Sequence, residues 1–384
     1  MREVVIVEAV RTPMGRRAGV LSGLHPNQLG AMVLNELVSR SGIQAEQIED
    51  VVFGCVDQVG EQAANVARNV LLTADFPYTV PATSVDRQCG SGQQAVHFAA
   101  NLVQAGVCDI TIGGGVESMS RVPLGVNMMQ GPGAPFTPEL MEKYPLTPQG
   151  ISAEEIAVKW GVSRQEADEF ALESQEKARR ARDEGRFERE MIPVDVKIEG
   201  LDHTVTTDEG IRESTLEKLA SLTPSFRPDG VHHAGNSSQI TDGSSAVLLM
   251  SREKADELGK QPRARIVGQA VVGSDPVLML TGPITATPKV LKHAGLEMKD
   301  IDLIEINEAF ASVVLAWKRE CNPDMLKVNV NGGAIALGHP LGATGARLMT
   351  TMLHELERTG GRYGMQLMCC GGGLGTATII ERLD

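Results

Sequence analysis

Two stretches of this chain, 253 residues apart, follow one pattern, and no other feature limits its architecture more. Residues 43–54 read IQAEQIEDVVFG and residues 296–307 read LEMKDIDLIEIN. Each is a short polar helix end, an isoleucine followed by an acid, and then a buried strand; Ile48 and Ile301 occupy the same place. A second parallel sets DITIGGG (109–115) against the run into MCCGGG (368–373), aligning Gly113 with Gly371 at a spacing of 258. Recurrence at nearly constant spacing implies a duplicated α/β half.

Each half alternates apolar runs with helical patterns. VVIVEAV, DVVFGCV and ITIGGG read as strands in the first half, with a helix over GQQAVHFAANLVQAG that Gly106 should stop. RARIVGQAVVG and DLIEIN read as strands in the second, with a helix over GARLMTTMLHELERTGG. Continuous apolar strands between helices predict buried, mixed or mostly parallel sheets. The stretch 121–240 differs: the Pro/Gly-rich GPGAPFTPEL precedes a charged helical run with Ile156, Trp160, Phe170 and Leu172 at helical spacing. The expected domains are 1–120 plus 241–262, an inserted lobe at 121–240, and 263–384.

Several function classes are disfavoured. A formal charge of −13 does not suit a phosphate-backbone binder, so no nucleic-acid partner is expected. No apolar run approaches the ~18 residues of a membrane span, and MREVVIVEAVRTP lacks the order of a signal peptide, so no membrane insertion and a cytoplasmic location are expected. The six cysteines (55, 89, 108, 321, 369, 370) form no CxxC pair, which fits reduced thiols and no metal site.

Four segments can carry chemistry. In SVDRQCGSGQQAVHFAA, Cys89 stands between a strand and a helix, where free N–H groups and the helix dipole favour a thiolate; a buried structural cysteine is the plain alternative. The same stretch matches G-x-G-x-x-A from Gly90 to Ala95, with Glu117 as the acid of a dinucleotide site, a weaker reading. In GGAIALGHPLGATGAR, His339 lies between Gly338 and Pro340 on a stiff loop; it could be a turn histidine. In QLMCCGGGLGTATII, three glycines offer bare N–H groups for an oxyanion, or a hairpin turn. In EINEAFAS, Asn307 could face a site or cap a helix. Together they supply a nucleophile, a base, a second thiol and oxyanion donors, all at strand–loop–helix junctions.

D-R-Q-C-G-S-G-x-Q-A, N-E-A-F, G-H-P-x-G-x-[ST]-G and C-x-G-G-G, in that order, resemble the site motifs of thiolases, and the likeness runs from Arg11 of VRTP onward. It implies a thiolase-like α/β fold: duplicated halves with mixed sheets in α-β-α-β-α layers, plus an inserted loop domain that covers coenzyme A. It implies Cys89 as acylated nucleophile, His339 as its activator and an oxyanion donor, Asn307 as holder of the water that completes that hole, and Cys369 as second catalytic thiol. The N–H groups of Cys89 and Gly371 would form the other hole. Arg212 and Lys218 would meet the CoA nucleotide and Ser238 the pantetheine arm, with Phe310 and Met279 lining the acyl pocket. The implied activity is thiolytic cleavage of 3-ketoacyl-CoA in lipid degradation, with CoA as substrate, no cofactor, and a homodimer or homotetramer. A biosynthetic acetoacetyl-CoA thiolase and a non-catalytic acyl-CoA or lipid carrier are the alternatives. The chain departs from the pattern at Cys370, an added thiol, and at Gln149, which with Pro148 leans towards longer or bulkier acyl groups.

Overall fold

The computed structural model describes residues 2–129 and 131–383. The first half opens with β1 (Val4–Arg11) and a short β2 (Gly15–Arg16), then α1 (Pro26–Ser41), β3 (Asp50–Gly54), α2 (Val66–Thr73), β4 (Ala82–Val85), α3 (Ser91–Gln104) and β5 (Ile110–Ser118). Gly106 takes φ 74° just past α3, a left-handed position that ends the helix as expected. Residues 121–240 hold α4 (Val126–Met129), α5 (Pro138–Lys143), α6 (Gln149–Lys159), α7 (Arg164–Asp183), the hairpin β6 (Val194–Ile198) and β7 (Leu201–Val205), and α8 (Leu216–Ala220). The chain then returns through β8 (Thr241–Ser251) and α9 (Arg252–Glu257). The second half comprises β9 (Ala264–Gly273), α10 (Gly282–Ala294), β10 (Leu303–Ile306), α11 (Ala311–Cys321), α12 (Ala334–Leu337), α13 (Leu341–Thr359), β11 (Tyr363–Cys370) and β12 (Leu374–Arg382).

The strands run β4-β3-β5-β8-β1 and then β9-β12-β11-β10. In the first group β4, β3 and β5 are parallel and β8 and β1 antiparallel; in the second β10 and β11 are parallel and β12 and β9 antiparallel. The two halves thus carry mixed strands as expected, and their half-sheets join where Val5 and Ile6 pair with Arg265 and Ala264. The antiparallel edges β1 and β9 are equivalent strands, so each can complete the other's ladder across an approximate two-fold axis.

Strand alternation builds the layers. Val51 and Phe53 face α1 and α2, whereas Val52 faces inward. Between the two half-sheets lie α3, through Ala95, Val96, Ala99 and Val103, and α13, through Met349, Met352, Leu353 and Leu356. The outer face of the second half packs on α10 and α11. The result is five layers, α-β-α-β-α. No described helix is long and apolar enough to cross a membrane.

The duplication is real, but its second sequence parallel is wrong. β5 and β11 are the equivalent strands and begin 253 residues apart, whereas Gly113–Gly115 lie within β5 and Gly371–Gly373 follow β11. The two glycine runs serve different ends. A Cβ on Gly113 would sit 2.5 Å from the Val96 backbone, and one on Gly115 would sit 2.0 Å from the Gly342 carbonyl, so these glycines let both central helices close onto the sheet. Gly372 and Gly373 instead turn the chain at φ 73° and 76°.

Candidate active site

Cys89 stands two residues before α3, and His339 two residues before α13. The Cys89 loop is wound tightly: Gly90 N–H donates to the Arg87 carbonyl at 3.1 Å and Ser91 N–H to the Gln88 carbonyl at 2.9 Å. Gln88 takes φ 50°, a conformation non-glycine residues seldom hold without a structural reason. Gly90 is required because its Cβ would meet Cys370 Sγ at 2.7 Å.

Cys89 is 3 % exposed. Burial pushes its thiol up to about 12, and neighbouring Cys369 adds to the rise. The N–H groups of Gly371 and Cys89 and the Gln149 amide pull it back only in part. The expectation of a resting thiolate at a helix N-terminus is thus reversed, because desolvation outweighs the helix end. A buried neutral thiol needs a base to react.

His339 has the form such a base requires. Burial, aided by the Arg347 guanidinium, holds it down to about 3, so the ring is neutral. Its Nδ1 lies 2.6 Å from Thr344 Oγ1. That hydroxyl donates its one hydrogen to the Pro340 carbonyl at 2.8 Å, so it accepts from Nδ1–H. Nε2 therefore carries a lone pair and receives Asn307 Nδ2 at 3.4 Å. The backbone is fixed as well: His339 N–H donates to Thr241 Oγ1 at 3.0 Å and to the Gln239 carbonyl at 3.2 Å.

Asn307 follows β10 and is no helix cap, since α11 starts at Ala311 with Phe310 before it. The same Nδ2 lies 3.6 Å from Cys369 Sγ, while Oδ1 is buried with no hydrogen-bond partner among the described residues. Cys369 and Cys370 alternate across β11. Cys369 joins Phe310, Met279, Leu280 and Ile156, and Cys370 joins Cys89, Leu348 and Met368 on the other face. Burial holds Cys369 at about 11, with the Asn307 amide countering. Gly371–Gly373 are both the β11–β12 hairpin turn and a source of N–H groups; a Cβ on Gly371 would meet Gln149 Nε2 at 2.9 Å.

The remaining predicted residues divide into two sets. Ser238 donates its N–H to the Ala309 carbonyl at 2.9 Å, which puts it beside Phe310. Arg212 and Lys218 are exposed, and among the described residues no carboxylate lies within ion-pair distance of either. The Arg212 guanidinium bonds the Ala234 carbonyl at 3.3 Å, in the loop leading to Ser238. A depression beside Glu213 is of mixed charge, lined by three arginines (179, 180 and 182) and four acids (176, 183, 184 and 213). Glu117 is no ribose ligand. It is fully buried and accepts from the N–H groups of Val56 (2.9 Å), Asp57 (3.1 Å) and Gly342 (2.8 Å), tying β5 to the start of α13. The dinucleotide reading is overturned with it: Gly92 serves helix packing, its Cβ position lying 2.6 Å from the Gly342 carbonyl. Thr344, Thr241 and Gln88 escaped sequence reading. Thr344 and Gln88 stand inside the quoted motifs, where their presence was the only signal.

A buried thiol before α3 of one half lies beside the Cys369 thiol of the other, and a neutral imidazole stands before the equivalent helix α13, a set of groups suited to acyl transfer through cysteine. The chain belongs to the thiolase family. The thiolase N-terminal domain model matches residues 4–253 and the C-terminal domain model residues 260–382. The chain is 48 % identical to the steroid 3-ketoacyl-CoA thiolase FadA6 of Mycobacterium tuberculosis, over all of this chain and 95 % of that one. It is 44 % identical to a 3-ketoacyl-CoA thiolase of Bacillus subtilis, over 99 % of this chain and 100 % of that one. Its structure matches that of the Bacillus anthracis acetyl-CoA acetyltransferase with a TM-score of 0.92 at 41 % identity, covering 100 % and 99 % of the two chains.

Proposed function

We propose that this thiolase cleaves 3-ketoacyl-CoA with free CoA to acetyl-CoA and a shortened acyl-CoA, through an acyl group on Cys89. The observation that carries the reading is the tautomer of His339, whose unprotonated Nε2 meets the Asn307 amide that also reaches the second thiol.

In this reading Nε2 takes the Cys89 proton as sulfur adds to the 3-keto carbon. The N–H groups of Cys89 and Gly371 hold the oxyanion that forms there. The C2–C3 bond then breaks and its electron pair passes to the thioester enolate. The enolate oxygen lies against the newly protonated Nε2 and the Asn307 site, and Cys369 gives its proton to C2. Acetyl-CoA leaves; free CoA loses its thiol proton to the Cys369 thiolate and takes the acyl group from Cys89, whose sulfur leaves as a thiolate and recovers its proton from Nε2 of His339. Every step moves protons or an acyl group, and the reverse is a Claisen condensation.

Residues 121–240 are assigned to cover CoA, with Arg212 and Lys218 at the nucleotide and Ser238 at the pantetheine arm. Phe310, Met279 and Gln149 bound the acyl group. Gln149 supports acyl chains longer than acetoacetyl, as in lipid degradation, and a cytoplasmic homodimer or homotetramer is the assembly proposed. The test is loss of the Mg-enolate absorbance of acetoacetyl-CoA on adding CoA, beside a longer 3-ketoacyl-CoA. Cys89-dependent turnover with higher kcat/KM on the longer substrate is expected. No turnover of either by folded, reduced protein would leave the carrier alternative standing.

A further inference from the structure

Two adjacent histidines, His232 and His233, lie buried beneath the loop that leads to Ser238, and the reaction above uses neither. Their bonds are unusually complete. Gly235 N–H donates to His233 Nδ1 at 3.0 Å, so the ring proton is on Nε2, which donates to Asp168 Oδ1 at 2.7 Å. The same carboxylate oxygen accepts Asn236 Nδ2 at 2.9 Å, and Oδ2 accepts Arg164 Nε at 3.0 Å. Helix α7 therefore grips the loop through one carboxylate.

The loop then lies along the start of α11. The Asn236 carbonyl accepts Ala311 N–H at 3.1 Å and Ser238 N–H donates to the Ala309 carbonyl at 2.9 Å, a two-bond bridge centred on Ser237 and Phe310. His232 secures the far side of this bridge. Its Nε2 lies 2.8 Å from Ser312 Oγ, and its ring meets the Phe310 ring edge-on at 5.3 Å. Ser238 on one side and Phe310 on the other are thus set by one network whose parts come from α7, the loop and α11.

We infer that His232, His233 and Asp168 are positioning residues that fix the wall for the pantetheine arm and the wall for the acyl group as one unit. The inference rests on the reading that Ser238 faces the arm and Phe310 the acyl chain. Removing His233 unties the loop from α7, so it should weaken every ligand that carries the arm, with or without the nucleotide. Arg212 should matter only when the nucleotide is present.

The experiment compares His233→Ala, His233→Gln, Asp168→Asn and Arg212→Ala with CoA and with pantetheine as acyl acceptors. His233→Ala and Asp168→Asn should raise KM for both acceptors about tenfold, with kcat changed by less than about threefold. His233→Gln keeps a donor towards Asp168 and should recover part of the loss. Arg212→Ala should raise KM for CoA alone. Iodoacetamide alkylation of Cys89 should keep its wild-type rate in His233→Ala. Wild-type KM for both acceptors in folded His233→Ala and Asp168→Asn overturns the inference, as does a loss confined to kcat. Should the wild type show no thiolysis, CoA binding by calorimetry decides instead: a raised Kd in His233→Ala supports the unit, and an unchanged Kd overturns it.

Discussion

Replacing Thr344 by valine tests the catalytic geometry at its most specific point. The side chain keeps its volume and loses one oxygen, which accepts from His339 Nδ1–H at 2.6 Å and donates to the Pro340 carbonyl at 2.8 Å. With Thr344 fully buried, no solvent replaces the lost acceptor. A buried N–H left unpaired costs about 1–3 kcal/mol. The ring avoids that cost by moving its proton to Nε2, but this turns a donor towards Asn307 Nδ2, itself a donor, and removes the base from Cys89. At about 1.4 kcal/mol per factor of ten, kcat/KM should fall roughly 10- to 100-fold. The loss should fall on kcat, with KM within about twofold of wild type, because no group assigned to CoA is touched. Thiolysis of a 3-ketoacyl-CoA measures both parameters, and Thr344→Ser, which retains the oxygen, should keep most of the activity. A folded Thr344→Val variant with kcat/KM within about twofold of wild type would refute the tautomer argument.

Three further outcomes are expected. Arg11→Met strips the buried Glu190 and Asp208 of the guanidinium they share at 2.5 and 2.7 Å, and should cost about 3–5 kcal/mol, read as a lower urea midpoint at unchanged slope. Gly342→Ala places a Cβ 2.5 Å from the Gly54 carbonyl and 2.7 Å from Cys55 Cα; it should destabilise by about 1–3 kcal/mol or more and, by moving the loop before α13, lower kcat, whereas unchanged kcat and midpoint would contradict the packing described. Acid should destabilise the fold. His97, His339 and His354 are each held at about 3 by burial, so below the ordinary 6.5 the unfolded chain binds protons the folded one refuses. Stability falls as pH drops through that window, by roughly 1.4 kcal/mol per unit for each histidine. Glu117, raised to about 7, and Glu305, raised to about 8, act oppositely: the stability they add is present below 4.5 and lost as pH rises through those values. Urea midpoints should therefore drop gently from pH 6.5 to 4.5, where both sets act, and steeply below; a flat profile would contradict the assigned burial.

The two halves were legible because their strands and helices repeat a local pattern, and Cys89, Asn307, His339 and Cys369 stood out as candidates because each lies at or near the end of a strand-like run or in a loop before a helix. The glycines misled. Gly113–Gly115 and Gly371–Gly373 look alike in sequence, yet one run admits helices and the other makes a turn. Glu117 misled similarly, since an acid at the end of a strand looks the same whether it meets a ribose or three backbone N–H groups. The thiol's ionisation was misjudged because helix position is local and readable, whereas burial is collective. Gln149 and the two loop histidines take their meaning from partners on other elements, and no spacing along the chain announces those contacts.

The seats of Cys89 and His339 are the same seat, taken twice, one before each central helix and 250 residues apart. Two identical halves meeting across an axis would put one residue type at both: two thiols without a base, or two imidazoles without a nucleophile. Proton transfer from one to the other needs them to differ. Joining the halves in one chain removes that constraint, since a substitution in one copy is no longer imposed on the other. The symmetry kept by the strands and helices is broken at the positions where chemistry demands a difference, and a pair of equivalent sites becomes a single composite one.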